Sequence, residues 1–295
     1  MNNIVRKEIV KNNLYNPLTG KINNQSFFNF YESTQLNFNK ILQVLKGNLA
    51  GCVIRNFVPL DVCKKVEENF WSSSFLKKRQ DNVPAYYIGP YHYNKNLEEY
   101  IQQAKKARQG LNQLFQGTAN FFVEFIMNFS AFLQKENIIV RIAEYNGEKA
   151  SAFRLLSWPN STNFSLEPHD DIAQCGTVLQ KGFEIQNVRN YEVVAINICL
   201  DNDKAGKQGQ LHYWNMQPDD QSRKILGIEE TGYPYPSYLL SNIEKMILSV
   251  FPGDLYCFNG RNIHAVGSNI NKENKRLILS FFIGFIDDNT IVYWV

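Results

Sequence analysis

Apolar side chains in the first half of the chain recur at helical spacing. Between residues 95 and 135 they fall at Leu97, Ile101, Ala104, Leu111, Leu114, Phe121, Phe122, Phe125, Ile126, Phe129 and Phe132. Because residues one helical turn apart share a face, this spacing predicts helices over 95–135, and Gly117 is expected to divide them in two. The composition of residues 50–57 predicts a strand. The apolar spacing after Pro59 predicts a further helix with Asp61 as its N-cap.

From about residue 138 the pattern changes to short β-branched or aromatic runs separated by turn residues. Strands are predicted at 138–142, 153–156, 193–200, 210–214, 254–258 and 277–285. A helix is expected to interrupt them near 238–249. This rhythm is typical of a β-sandwich or barrel, and a jelly roll fits the number of strands.

These patterns predict one α+β domain over residues 1–295, without a linker or an internal repeat. We expect a loosely ordered segment at 1–37, a mainly helical part at 38–137 and a jelly-roll, cupin-like β core at 138–295. Fold alone does not give function, so function has to be argued from particular residues.

Composition excludes several function classes. The net charge is only +3, without the strong basic stripe expected of a nucleic-acid binder. Five cysteines without a CxxC pair favour a reducing compartment over a disulfide frame or a cysteine zinc site. The N-terminus lacks the apolar core of a signal peptide, and no apolar run approaches the roughly 18 residues of a membrane span. We therefore expect a cytoplasmic protein without nucleic-acid or membrane partners.

Two of the four histidines lie in informative positions. His169 is followed two residues later by Asp171, and residues i and i+2 of a strand face the same way, so both can hold one metal ion. His264 is available as a third ligand from a distant strand. Two histidines and one carboxylate form the facial triad of non-haem iron(II) oxygenases, which leaves positions open for a co-substrate and dioxygen.

Arg276 follows His264 by twelve residues and begins an apolar strand. A guanidinium there matches the distal carboxylate of 2-oxoglutarate, with which it can form a bidentate pair. On residue types and spacing alone a simpler interpretation stays open. In that interpretation His169 is a loop histidine, His264 a packed core histidine and Arg276 a charge at a strand edge.

Several short stretches of the chain match one known family. They are Leu114-Phe115-Gln116-Gly117, Phe153-Arg154-Leu155-Leu156, Pro252-Gly253-Asp254, Phe258-Asn259-Gly260, His264, Arg276, Gly284-Phe285 and Tyr293-Trp294. In these stretches, and in the separation of its two histidines, the chain resembles the iron(II)/2-oxoglutarate oxygenases. More closely, from about residue 50 onward, it resembles the carrier-independent halogenases of hapalindole and welwitindolinone alkaloid biosynthesis. The resemblance implies a double-stranded β-helix with supporting helices.

One departure from that family changes the expected chemistry. In those halogenases the residue two positions after the first histidine is glycine, which leaves room for chloride on iron, whereas this chain has Asp171. The resemblance therefore implies a hydroxylase, or another enzyme that oxidises a C–H bond, with succinate and carbon dioxide as co-products. Iron(II), 2-oxoglutarate and dioxygen are the implied cofactor and co-substrates.

Weaker candidates surround this proposed centre. Arg154, on a strand close in sequence to the metal segment, is a candidate to contact 2-oxoglutarate or the substrate. Asn197 and Ser280 are polar residues within apolar strands and are candidates to contact 2-oxoglutarate. The resemblance implies that the substrate entrance is lined by residues of the segment that contains Tyr86, Tyr87, Tyr91 and His92. Ile172 and Gln174 follow the metal pair and are candidates to border the pocket. His212 is expected to be a packed histidine, and Asp201 to Asp203 a surface turn.

Alternative functions stay open at this point. The chain could hydroxylate a peptide or protein, could be a halogenase despite Asp171, or could be a jelly-roll module that binds a ligand without turning it over. The many aromatic residues favour a partly apolar small molecule, such as an alkaloid or a modified amino acid, as the substrate.

Overall fold

The computed structural model describes residues 4–7, 17–79, 85–92, 95–158, 161, 163–270 and 276–295. In the first half of the chain these residues form β1 (Ile4–Lys7), β2 (Gly20–Lys21), β3 (Phe30–Ser33), α1 (Phe38–Leu45), β4 (Gly51–Ile54), α2 (Leu60–Ser72), β5 (Lys77–Lys78), β6 (Tyr86–Ile88), α3 (Leu97–Gln113) and α4 (Phe121–Gln134). The predicted helical run is therefore present and is divided around Gly117. Within these residues no helix is long and apolar enough to cross a membrane.

The second half of the chain is mostly strand. Its elements are β7 (Ile139–Ile142), β8 (Glu144–Tyr145), β9 (Glu148–Lys149), β10 (Arg154–Trp158), β11 (Leu166–His169), β12 (Val193–Asp201), β13 (Leu211–Trp214), β14 (Gln217–Pro218), α5 (Asp220–Leu226), β15 (Lys245–Leu248), β16 (Leu255–Asn259), β17 (His264–Val266), β18 (Arg276–Asp287) and β19 (Thr290–Trp294). Short 3₁₀ helices lie between β11 and β12. All six strands predicted for this half are present.

Two local predictions are wrong. The helix expected at 238–249 is a 3₁₀ turn at Ser237–Leu240 followed by β15. β15 pairs with β13 and buries alternate residues, so strand pairing overrides the local spacing of the apolar residues. Asp61 is not the N-cap of α2. Pro59 holds that position and Asp61 lies in the first turn, where a carboxylate still favours the helix dipole.

The predicted loosely ordered segment 1–37 is structured where it is described. Residues 17–37 contain β2 and β3, and β3 pairs in parallel with β4. Phe28 is fully buried and Phe30 nearly so, which anchors this segment to the core. Residues 1–3 and 8–16 lie outside the described residues.

Two mainly antiparallel sheets form the centre of the α+β fold. The large sheet has the order β3-β4-β16-β12-β18-β10-β6-β5, with β19 joining β18 to β7. The small sheet has the order β1-β15-β13-β17-β11. Helices α1, α2 and α4 pack on one face of the large sheet, and residues of the small sheet pack against the other face.

The central strands of the large sheet are buried on both faces. In β12, Ile196 and Ile198 pack with the phenylalanines of α4, whereas Ala195 and Cys199 pack in the cluster that includes Tyr213 of the small sheet. A strand buried on both sides has a continuous apolar sequence, as β12 does. A polar residue on its inner face, such as Asn197, therefore indicates a polar site between the two sheets.

Candidate active site

His169, Asp171 and His264 lie together at the edge of the small sheet. His169 ends β11 and His264 begins β17, and the two are register partners with ring centroids 4.2 Å apart. Asp171 follows two residues after the end of β11. One ligand atom from each of the three lies within 4.8 Å of the others. All three side chains are largely buried, so a cation between them would be shielded from bulk water.

Backbone carbonyl groups orient both imidazoles. Nδ1 of His169 lies 2.8 Å from the carbonyl oxygen of Glu167, and Nδ1 of His264 lies 2.9 Å from that of Asn262. When Nδ1 donates its proton to a carbonyl, Nε2 keeps a lone pair for a metal. Both Nε2 atoms face Asp171, at 3.8 Å from Oδ1 and 3.3 Å from Oδ2. The donor set fits iron(II) on geometry and on chemistry.

The charge states of His169 and Asp171 also favour a bound cation. Burial lowers the pKa of His169 to about 4, and the neighbouring His264 adds to this, so this imidazole is neutral at neutral pH. Burial acts to raise the pKa of Asp171, but the combined effect of His264, His169 and Arg154 is larger, so the net shift is downward. The site therefore combines an ionised carboxylate with an imidazole that is free to coordinate.

A glycine gives the Asp171 carboxylate its space. The amide of Asp171 donates to the carbonyl oxygen of Gly260 at 2.8 Å, so the two backbones run side by side. A Cβ atom at position 260 would lie 2.6 Å from Oδ2 of Asp171. Gly260 belongs to one of the stretches that resemble the halogenase family, but sequence alone does not reveal its packing role.

Asp170 points away from the three and anchors the segment that carries them. Its carboxylate is fully buried and accepts hydrogen bonds from Arg223 Nε at 3.0 Å, Tyr235 Oη at 2.7 Å and the amide of Ala173 at 3.0 Å. Arg223 and Tyr235 are 53 and 65 residues away in sequence. No sequence pattern connects them to Asp170, so sequence reasoning missed them.

A cavity of about 310 Å³ separates the two sheets beside these side chains. The large sheet supplies its opposite wall. Arg154 on β10, Ser280 on β18, Asn197 on β12 and Tyr256 on β16 are neighbours in register and all line the cavity. The structure thus brings Arg154, Asn197 and Ser280 into one polar row, and adds Tyr256, which sequence reasoning missed.

Arg276 lies at one end of the cavity and is 1% exposed. Its Nε donates to the carbonyl oxygen of Gly209 at 3.0 Å and its Nη2 to Tyr256 Oη at 2.6 Å. The guanidinium lies over the ring of Trp158, 4.8 Å from the centroid. Nη1 has no hydrogen-bond partner among the described residues. A buried cation with a free N–H group fits a carboxylate that enters the cavity.

The predicted substrate residues divide into two groups. Tyr91, His92 and Gln174 line the cavity. Tyr86, Tyr87 and Ile172 do not line it, which corrects that expectation.

Strand alternation explains Tyr86. In β6, Tyr87 pairs with the cavity residue Leu156, so Tyr86 belongs to the other face and packs against Trp71. Ile172 is 3% exposed and belongs to the core cluster between the sheets, because the chain turns into a 3₁₀ helix directly after Asp171. His212 packs edge-on against Phe164.

Comparison with known proteins gives a consistent set of similarities. The family model described as the carrier-protein-independent halogenase WelO5 matches residues 26–295. The L-isoleucine 3(1)-dioxygenase of Pantoea ananatis (strain AJ13355) is 33% identical over 281 residues, which covers 90% of this chain and 93% of that protein.

Solved structures show the same fold at lower identity. A crystal structure of an N-substituted L-amino acid dioxygenase from Burkholderia ambifaria AMMD superposes with a TM-score of 0.55 at 14% identity, covering 88% of this chain and 91% of that one. Its complex with α-ketoglutarate gives a TM-score of 0.54. At this identity the likeness concerns the fold alone.

Proposed function

Since this chain belongs to the WelO5 family of carrier-protein-independent halogenases, within the iron(II)- and 2-oxoglutarate-dependent oxygenases, we propose that it hydroxylates an unactivated C–H bond of a free amino acid. The enzyme is a 2-oxoglutarate-dependent dioxygenase that uses iron and dioxygen. The position of the oxidised carbon and the identity of the amino acid are the finer parts of the proposal.

The proposal assigns iron(II) to His169, Asp171 and His264. The observation that carries it is the grouping of these three donors within 4.8 Å, buried at the wall of the cavity. Dioxygen would be the oxidant, with one oxygen atom passing to the substrate and the other to succinate; bound iron(II) would promote its reduction, and 2-oxoglutarate would supply two electrons and leave as succinate and carbon dioxide. The chain's own residues orient the donors, hold the two organic molecules and keep water away.

Asp171 favours hydroxylation over halogenation. A carboxylate at this position occupies the place that chloride needs on the metal in the halogenases that the chain resembles. Gly260 leaves space for the carboxylate, and the side-chain Nε2 of Gln174 donates to its Oδ1 at 3.2 Å, so both support the carboxylate in this place. The facial triad is then complete, and its remaining positions are left for 2-oxoglutarate and dioxygen.

The co-substrate 2-oxoglutarate is assigned to the end of the cavity at Arg276. Its distal carboxylate would accept a hydrogen bond from Nη1 of this buried arginine, which has no other partner among the described residues. Tyr256 and the carbonyl group of Gly209 hold the guanidinium in place. Asn197, in the polar row beside Tyr256, is a further candidate contact. The ring of Trp158 covers the guanidinium and excludes water from this end.

The proposed substrate class rests on the name of a similar protein and on the size of the cavity. The similar protein from Pantoea ananatis is named as acting on L-isoleucine. A volume of about 310 Å³ lies at the small end of the roughly 300–1,000 Å³ of ligand sites, which supports a small substrate over an extended peptide.

We also propose that the two facing sheets form a double-stranded β-helix and that residues 1–295 are one domain.

Product analysis in chloride-containing buffer tests the proposal. We expect purified protein with iron(II), 2-oxoglutarate and L-isoleucine or another free L-amino acid to yield a product that has gained one oxygen atom and no chlorine, measured by mass spectrometry. The Asp171→Ala variant should lose this product. Asp220→Asn, a change at a carboxylate with 77% of its side chain exposed, should retain it. A chlorinated product from the wild-type enzyme would contradict the proposal.

A further inference from the structure

The cavity has a guanidinium at each end, and only one of them is needed for 2-oxoglutarate. Arg276 is the register partner of Trp158, and Arg154 is the register partner of Ser280. Ser280 is four residues further along β18, roughly 13 Å at about 3.3 Å per residue. Leu156 and Ile278, which are also register partners, lie between the two arginines on the same cavity wall.

The end at Arg154 is rich in positive charge. Arg79 also lines the cavity there, with its guanidinium 5.0 Å from the ring centroid of Tyr91. Burial lowers the pKa of Arg154 to about 10, with a contribution from Arg79, so Arg154 remains protonated at neutral pH. Burial lowers the pKa of His92 to about 4, so that the neighbouring imidazole is neutral.

The positive charge of Arg154 has no counter-ion among the described residues. Nε of Arg154 is buried there without a hydrogen-bond partner, and none of their carboxylates forms an ion pair with this guanidinium. Among the described residues that line the cavity, Asp171 is the only acidic one, and it is assigned to the metal. Arg154 is half-buried, and a cation with a buried N–H group that has no partner favours an anionic ligand.

Charge balance indicates that this ligand comes with the substrate. Iron(II), Arg276 and Arg154 carry four positive charges, whereas Asp171 and the 2-oxoglutarate dianion carry three negative charges. The surplus lies at the Arg154 end. A substrate carboxylate would pair with the guanidinium of Arg154, whereas a neutral alkaloid would leave that guanidinium without a counter-ion. This neutralisation is local, because a free amino acid is a zwitterion without net charge.

We propose that Arg154, with Arg79 at the rim, binds the α-carboxylate of the amino acid substrate, so that Arg154 determines specificity for carboxylate-bearing molecules. This inference rests on the proposed function and adds to it the residue that selects the substrate class. The carboxylate lies at the end opposite Arg276, and the aliphatic side chain extends along Leu156 towards the three metal donors. Gln174 and Thr231, which also line the cavity, supply uncharged acceptors for the ammonium group.

Binding measured without turnover tests the assignment. Wild-type protein is loaded anaerobically with iron(II) and 2-oxoglutarate, which gives a weak visible charge-transfer band, and is then titrated with free L-amino acids, including L-isoleucine, and with their amides. The change in this band on titration reports the dissociation constant. We expect each amino acid that binds to do so about tenfold to hundredfold more tightly than its amide, because the amide lacks the charge-assisted pair with Arg154.

The Arg154→Gln variant should form the band with 2-oxoglutarate but should bind the amino acid as weakly as its amide. Arg154→Lys should recover part of the difference, since it restores the charge without the planar fork. Arg108→Gln is the matched control, because it removes an exposed guanidinium from α3 outside the cavity. Circular dichroism and thermal unfolding show whether the variants are folded.

Each other outcome overturns the inference in a distinct way. Equal binding of acids and amides by the wild-type protein removes the carboxylate requirement, whether or not the variants fold. Loss of the 2-oxoglutarate band in folded Arg154→Gln would assign Arg154 to the co-substrate and leave the proposed function intact. If wild-type protein gives no band with iron(II) and 2-oxoglutarate, the proposed metal and co-substrate assignments fail, and the inference fails with them.

Discussion

The two walls of the cavity hold their functional side chains by different means. On the large-sheet wall, Arg154, Asn197 and Arg276 project from strands that pair residue by residue with their neighbours. On the small-sheet wall, β11 has four residues and β17 has three, and Asp171 lies beyond the end of β11. Backbone register fixes the first set, whereas short strands leave the second set dependent on side-chain contacts.

Those contacts come from a distant part of the chain. Arg223 in α5 and Tyr235 in the following segment both bond the buried carboxylate of Asp170, which lies between His169 and Asp171. The ring of Tyr233, in the same segment, lies edge-on to His169 with centroids 5.9 Å apart. We infer that changes on the large-sheet wall alter ligand binding with little effect on the metal centre. Changes behind the small-sheet wall should alter metal affinity and stability together.

Arg276→Gln should give the largest change, and it should be confined to the large-sheet wall. The glutamine removes the buried charge that faces the distal carboxylate of 2-oxoglutarate, so we expect the dissociation constant for 2-oxoglutarate to rise about a hundredfold, the effect of losing a charge-assisted pair. Iron(II) affinity should remain within about threefold of wild type, a difference of less than 1 kcal/mol. Calorimetric titration of each ligand measures both. A loss of iron(II) binding equal to the loss of 2-oxoglutarate binding would contradict the separation of the two walls.

Asp170→Asn should act on the small-sheet wall, where it should lower protein stability and iron(II) affinity. The neutral amide would leave Arg223 without its buried counter-ion, which costs about 3 kcal/mol in free energy of unfolding. The strand end that carries His169 and Asp171 should loosen, and iron(II) affinity should fall about tenfold to hundredfold. Denaturant unfolding and metal titration measure the two quantities.

Asp220→Asn is the matched control for Asp170→Asn. Asp220 also accepts a hydrogen bond from Arg223, at 2.9 Å, but its side chain is 77% exposed. Loss of the Asp220 charge should therefore change the free energy of unfolding by less than about 1 kcal/mol. Equal effects of the two changes would mean that the buried network does not position the metal donors.

Part of the large-sheet wall, though not Tyr256, could be predicted from the sequence because strand periodicity is a local property. Asn197 and Ser280 interrupt apolar strands, and a period of two places each on a definite face. The same rule separates Tyr86 from Tyr87, but only once the pairing of β6 with β10 is known. Sequence alone did not supply that register, so the expectation for Tyr86 was wrong.

The residues that hold the small-sheet wall in place could not be predicted from the sequence. His169, Asp171 and His264 were predicted from their chemistry, and the structure brings them together. Arg223 and Tyr235 carry no periodic signal, because a buried ion pair depends on tertiary contact between segments far apart in the chain. For the same reason, apolar residues at 239–248 suggested a helix, although pairing with β13 makes β15 a strand.

Tyr256→Phe should give the smallest change, and it tests how closely the large-sheet wall is built around Arg276. Burial raises the pKa of Tyr256 to about 12, so the hydroxyl group stays protonated at neutral pH while it accepts from Nη2 of Arg276. Without this acceptor, the buried guanidinium loses one hydrogen bond worth about 1 kcal/mol, which corresponds to about a fivefold weaker binding of 2-oxoglutarate.

The control is Tyr213→Phe, which removes a second buried hydroxyl group, one that bonds the carbonyl oxygen of Asn259 at 3.0 Å and does not line the cavity. It should lower stability by a similar amount without changing 2-oxoglutarate binding, as measured by thermal unfolding and calorimetric titration. If Tyr256→Phe binds 2-oxoglutarate as tightly as the wild-type protein, then Gly209 and Trp158 are sufficient to orient Arg276. The precision of that end would then come from the β18 register and the packing of the ring, rather than from the hydroxyl group.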